Sequence, residues 1–145
     1  MKIAAHQKIP ILVSSSICQL VSNIFLGKLS INGVIFFPIL IIRDEALLND
    51  GRFIQHEMIH YYQLIETGVI GGIVISSFEY IYALLVLRKS RVDSYFYMAS
   101  EQEAHRNDNE GGYIQHRKWF SSFAYLSIKN KREIKIIDGK RSISN

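Results

Sequence analysis

Asp50-Gly51-Arg52-Phe53-Ile54-Gln55-His56-Glu57-Met58-Ile59-His60-Tyr61-Tyr62-Gln63-Leu64-Ile65-Glu66-Thr67-Gly68 is the stretch on which the reading of this chain turns. Asn49-Asp50-Gly51 supplies a helix cap and Gly68 a stop, so the residues from Arg52 to Glu66 read as one helix. Inside it lies His56-Glu57-Met58-Ile59-His60, the spacing H-E-x-x-H. Two histidines four apart sit one turn from each other on the same helix face, and both imidazoles can reach one tetrahedral Zn²⁺ at roughly 2.0–2.1 Å. Glu57 lies beside them, placed to polarise a metal-bound water without being a ligand. Five His among 145 residues make such a string a chance event in roughly one chain per hundred. The bland reading is a pair of buried helix histidines. Phe53, His56, His60 and either Gln63 or Leu64 share a face, while Met58, Ile59, Tyr62 and Ile65 fill much of the rest. The helix is therefore expected to be buried.

A third protein ligand is needed, with the fourth position left to water. Downstream candidates are Glu66, Glu79, Glu101, Glu103, His105, Asp108, Glu110 and His116. Glu66 falls on a different face of the motif helix from His60. Ser100 with Glu103 three residues on reads as a capping box, which would occupy Glu103. Glu101, in the first turn of the same helix, stays available, and the helix dipole there favours its ionised form. Glu79 interrupts an apolar helix and is expected to have a partner; a hydrogen bond to His56 or His60 that fixes a tautomer is one reading. Gln63 reads equally as a surface or core amide or as a group behind the ligands. Asn107-Asp108-Asn109 lacks the EF-hand pattern and reads as a turn.

These residues resemble a family. His56-Glu57-x-x-His60, a long apolar helix and then Glu101-Gln102-Glu103-Ala104 are similar to the gluzincin metallopeptidases, in pattern nearest to membrane-linked ones of the HtpX and CAAX prenyl endopeptidase type. The resemblance implies that Glu101 is the third zinc ligand, from an E-x-x-A-D string whose Ala falls on Ala104. The Asp of that string falls on His105, a departure. The chain is also similar to a group of short bacterial proteins sharing H-E-x-I-H-x-x-Q (His56 to Gln63), an E-Y pair (Glu79-Tyr80) and E-x-E-A (Glu101 to Ala104). That likeness covers about residues 36–126 and implies a layout more than an activity.

Outward from the motif, Ile11 to Leu26 alternates apolar with Ser, Gln and Asn and reads as a helix stopped by Gly27. Leu29-Ser30-Ile31 and Val34 to Phe37 flank Asn32-Gly33, a strong hairpin signal. Pro38 then leaves Ile39 to Ile42 as an edge strand or extended segment. Val69 to Leu87 is almost continuously apolar and is followed by Arg88, Lys89 and Arg91. It has the length of a bilayer span, but Glu79 near its middle favours a buried core helix. Arg88 to Ala99 reads as a connection, and Tyr113 to Leu126 as a last amphipathic helix. Trp119, Phe120, Phe123 and Tyr125 read as core or membrane-interface packing.

The fold class expected is mainly α (α+β): a minimal zincin-like helical domain over residues 1–128, with a small β-hairpin or sheet before the active-site helix. Residues 129–145 carry six Lys/Arg against two acids and read as a frayed basic tail. A net charge of +4 without a basic face of interleaved aromatics excludes a nucleic-acid partner. One cysteine, Cys18, excludes an internal disulfide framework. The functional expectation is a zinc-dependent hydrolase acting on a peptide or protein. Zn²⁺ would be held by His56, His60 and Glu101, with Glu57 as the proton carrier and His105 or Tyr97 as an oxyanion donor. Membrane association through residues 69–87 is a further expectation. The competing reading is a zinc-binding, membrane-associated interaction protein without turnover, its metal closed by a fourth side chain such as His105 or His116.

Overall fold

A computed structural model describes residues 9–27, 29–137 and 140–144. The protein is mainly helical, with a small sheet ahead of the motif helix. Ile11–Val13 form β1 rather than the first turn of a helix, and α1 runs over Ser15–Phe25. The break is set by Ser14, whose hydroxyl accepts from the Ile17 backbone N–H and caps α1. The apolar triplet before it is thereby left to pair in parallel with Leu40–Ile42.

β2 (Gly33–Phe36) and β3 (Ile39–Ile42) are antiparallel, and the sheet order is β1-β3-β2. The hairpin turn is therefore at Phe37-Pro38, which are joined by a cis bond, and not at Asn32-Gly33. Gly33 serves a different purpose. A Cβ there would lie 2.7 Å from Glu57 Oε1 and 2.8 Å from Phe53 Cζ, so its absence lets β2 approach the motif helix. Nor is Ile39–Ile42 an edge strand: it is central, with Leu40, Ile41 and Ile42 buried. Proline sits in the turn, where no ladder donor is required of it. Ile9, Ile11, Leu40 and Ile42 form the core of this half, with Phe53, Met58 and Tyr61 packed on it.

A 3-10 turn at Glu45–Asn49 leads to α2 (Gly51–Thr67), capped by Asp50, whose Oδ1 accepts from Arg52 N at 3.0 Å and Phe53 N at 3.1 Å. Gly68, at φ +69°, allows a 110° bend into α3 (Val69–Leu85). α3 is not the buried core helix expected for 69–87. Only Glu79 and Ala83 are buried on it, while Ile70 is 79% and Phe78 71% exposed. Among the described residues no single helix is long and apolar enough to cross a membrane; α2 and α3 pass only as a bent pair.

The segment after α3 is not a plain connection. Ser90 accepts from Asp93 N and starts α4 (Arg91–Tyr97). α5 (Ala99–Asn107) follows, but Ser100 and Glu103 make no capping box. Its first amide, Ala99 N–H, donates instead to Glu79 Oε2 at 3.0 Å. Glu79 thus bonds α5 and Lys131, the latter at 2.6 Å, and not the histidines. The long last helix is also absent. α6 covers only Tyr113–His116, and a 3-10 turn at Ser121–Tyr125 follows Phe120, whose backbone is left-handed. The break brings Arg117 inward to pair with Glu66 and Glu103.

Beyond residue 129 the chain does not simply fray. Arg132 N–H donates to Gln102 Oε1 at 2.9 Å, Ile134 is buried, and β4 (Ile134–Ile137) pairs with β5 (Lys140–Ile143).

Candidate metal centre

Helical spacing on α2 puts the His56 and His60 rings 4.8 Å apart between centroids, with the two Nε2 atoms 3.2 Å from each other. α5 crosses α2 so that its first turn delivers Glu101 to them: Oε1 is 3.2 Å from His60 Nε2, and Oε2 is 3.8 Å from His56 Nε2. Ligands on a tetrahedral zinc at 2.0–2.1 Å stand about 3.3 Å from one another. His56, His60 and Glu101, the residues singled out in the sequence, are thus brought together at the spacing such an ion requires.

The far sides of both rings decide what the near sides offer. Gln63 donates its amide hydrogens to Glu103 Oε2 at 2.8 Å and to the Ser100 carbonyl at 3.1 Å, so its Oε1 is left as an acceptor. His60 Nδ1 lies 2.8 Å from that oxygen and must donate to it. His56 Nδ1 lies 3.3 Å from Asp108 Oδ2 and donates likewise, while Asp108 Oδ1 accepts from Arg52 at 2.8 Å. Each neutral ring then turns an Nε2 lone pair toward the other and toward Glu101. Three electron-rich atoms converge with no donor among them, an arrangement that calls for a cation or a proton. Glu101 Oε2 is buried without a hydrogen-bond partner, as a waiting ligand atom would be.

The charges agree. Burial alone would raise Glu101, but His60, His56 and the Tyr95 hydroxyl hold it below the usual carboxylate range, ionised. Burial would lower His60; the Glu101 carboxylate, aided by Glu57 and Gln63, overrides it and pushes His60 up to about 9. Burial pushes Glu57 up to about 7, with His60 opposing and Glu101 adding to the rise. A carboxyl poised near neutrality is suited to take and return a proton.

His105 stands at the rim, its Nε2 3.2 Å from Glu101 Oε2 and its ring 4.4 Å from that of His56. With His56 and Asp108 it forms a second trio of possible ligands, which shares His56 with the first. His116 is elsewhere, bonded to the Gly112 carbonyl. Tyr97 is also elsewhere: its ring lies under Lys131 at 4.1 Å, and its carbonyl accepts from the same ammonium. The tyrosine at the centre is Tyr95, half-buried and bonded to Glu101; loss of solvent, and then the Glu101 carboxylate, drive its pKa well up. The signal that would have found it is Ser90 with Asp93 three residues on, a helix start that fixes which face of α4 each tyrosine occupies. Glu66 and Glu103 both pair with Arg117, with side chains 3% and 0% exposed, which removes them as ligands.

A cleft lined by His56, Glu57, His105 and Asp108 borders the centre on one side, and a cavity of about 300 Å³ borders it on another. Glu57, His60 and Glu101 form its polar wall, and Phe25, Val34, Ile73 and Phe123 part of its apolar one. No protein family, curated protein or solved structure matches the chain.

Proposed function

We propose that the protein is a zinc-dependent hydrolase, a metallopeptidase that cleaves a peptide or protein substrate at the centre formed by His56, His60 and Glu101. The observation that carries this reading is the convergence of two Nε2 lone pairs and a buried carboxylate oxygen beside Glu57 at the edge of an apolar cavity. His56, His60 and Glu101 would hold the Zn²⁺, which would supply Lewis acidity and activate a water near neutral pH. Asp108 and Gln63 hold the imidazoles in the tautomer that presents Nε2. Glu57 takes the proton of the attacking water and hands it to the leaving amine, and its burial keeps it a strong enough base and acid for both. His105, whose Nε2 lies 3.2 Å from Glu101 Oε2, would serve as the oxyanion donor. The apolar wall of the cavity would accept an apolar side chain of the substrate.

The test is hydrolysis of a peptide library by the zinc-loaded protein beside Glu57→Gln. Expected are equal zinc in both and a loss of turnover in the variant of at least 10²-fold, the order of general acid–base catalysis. Cleavage undiminished in Glu57→Gln overturns the mechanism.

One observation favours a second reading. His105 is near enough to Glu101 to close the centre as a fourth ligand, which would make it a zinc-stabilised interaction protein without turnover. His105→Ala separates the two: a structural site loses zinc affinity, whereas a catalytic one keeps zinc and loses rate.

A further inference from the structure

The outer side of α3 carries Ile70, Val74, Phe78, Ile81 and Leu85 at spacings of four, four, three and four, each more than half exposed. They form one apolar stripe along the helix with no charged residue in it. The opposite side is fastened to the body: Glu79 binds Lys131 and Ala99 N–H, and Tyr80 donates to the Phe25 carbonyl at 2.9 Å. At 17 residues the helix is about 26 Å long, and it does not qualify as a span. A continuous apolar face of this size on a folded body marks a contact surface.

Charge says what it contacts. Arg88, Lys89 and Arg91, all exposed, follow the stripe at its C-terminal end. A second copy of the chain is poorly matched. In a parallel pairing these three cations would face their own counterparts. In an antiparallel pairing they would face the start of the other α3, where the adjacent acid, Glu66, is buried against Arg117. A bilayer with anionic headgroups satisfies both features, taking the apolar side chains below the headgroup level and the cations at it. The patch also continues toward the cavity mouth: exposed Ile73 and Phe123 line it, and Phe123 packs at a tilt against Phe120, itself in contact with the exposed Trp119.

We infer that α3 lies in the surface of an anionic lipid bilayer, its Ile70–Leu85 stripe immersed and Arg88, Lys89 and Arg91 at the headgroups, as an interfacial and not a spanning element. The test is flotation of the full chain with phosphatidylcholine vesicles with and without phosphatidylglycerol. The wild type should float with the anionic vesicles and much less with the neutral ones. Val74→Glu/Phe78→Glu should float with neither. Arg88→Gln/Lys89→Gln/Arg91→Gln should partition on the order of 10²-fold more weakly to anionic vesicles, at about fivefold per cation. These positions are away from the zinc ligands and the cavity wall, so retained zinc reports an intact fold and separates failure of the surface from failure of the metal centre. Wild type that stays with the dense fraction, flotation indifferent to anionic lipid, or flotation that survives Val74→Glu/Phe78→Glu overturns the inference. A dimer that Val74→Glu/Phe78→Glu dissolves, without vesicle binding, overturns it in favour of a second copy.

Discussion

At the scale of single residues, the groups behind the ligands matter as much as the ligands. Asp108 and Gln63 set the His56 and His60 tautomers through Nδ1. Asp108→Asn and Gln63→Ala should each weaken zinc binding by about 10–100-fold while leaving the fold intact, measured by competition with a chromophoric chelator. Gly33→Ala tests the contact between β2 and Glu57. The added methyl would meet Glu57 Oε1 at 2.7 Å, so we expect a loss of about 1–3 kcal/mol in urea unfolding together with reduced turnover. The proposed ligands were legible in the sequence because helical spacing fixes His56 against His60, and the resemblance to gluzincins pointed to Glu101, a first-turn carboxylate that the helix dipole keeps ionised. Asp108 and Tyr95 were not. Asp108 looked like part of a turn, and only the crossing of α2 and α5 puts its carboxylate behind a histidine 52 residues away.

At the scale of elements, a buried Arg117 triad and a buried Glu79–Lys131 pair hold the helices in register. Arg117 joins Glu66 of α2 to Glu103 of α5, and Glu103 also accepts from Gln63 and Tyr113. Arg117→Ala would leave two buried carboxylates unpaired and should cost about 3–5 kcal/mol in chemical denaturation. Glu79 joins α3 to α5 and to Lys131. Glu79→Leu alone should destabilise by a similar amount, about 3–5 kcal/mol, since it strands a buried ammonium and uncaps α5; adding Lys131→Met should recover most of that loss. Local signals located α2 within a residue at each end, because Asp50 and Gly68 are strong caps. They failed where a tertiary contact outweighed them. Gly33 was read for its turn chemistry when the approach of α2 required it, and Ser100 was read as a cap when Glu79 already fills that role from α3. Helical periodicity across Tyr113–Leu126 was overruled by the inward pull on Arg117.

At the scale of the whole molecule, the described residues leave much apolar surface on α3 while burying the carboxyl groups of Glu57, Glu101 and Asp108 at the candidate metal centre. Buried charges that converge on one point make stability depend on what occupies that point. Zinc at a thousand times its Kd should therefore stabilise the chain by about 4 kcal/mol and raise the melting temperature by roughly 10 °C for a domain of this size, reversibly on chelation. The mainly helical class and the small leading sheet were readable from period and punctuation alone. The exposure of α3 was not, since an apolar run of that length looks the same in a core, in a bilayer or on its surface.

The central claim is that His56, His60 and Glu101 together hold one zinc ion, and X-ray absorption spectroscopy of the zinc-loaded protein, with metal content measured on the same sample, tests it most directly. The prediction is one zinc per chain in a shell of nitrogen and oxygen at about 2.0–2.1 Å with imidazole scattering from two histidines, lost in both His60→Ala and Glu101→Ala. A chain that binds no zinc, or one that keeps the same shell in either variant, contradicts it.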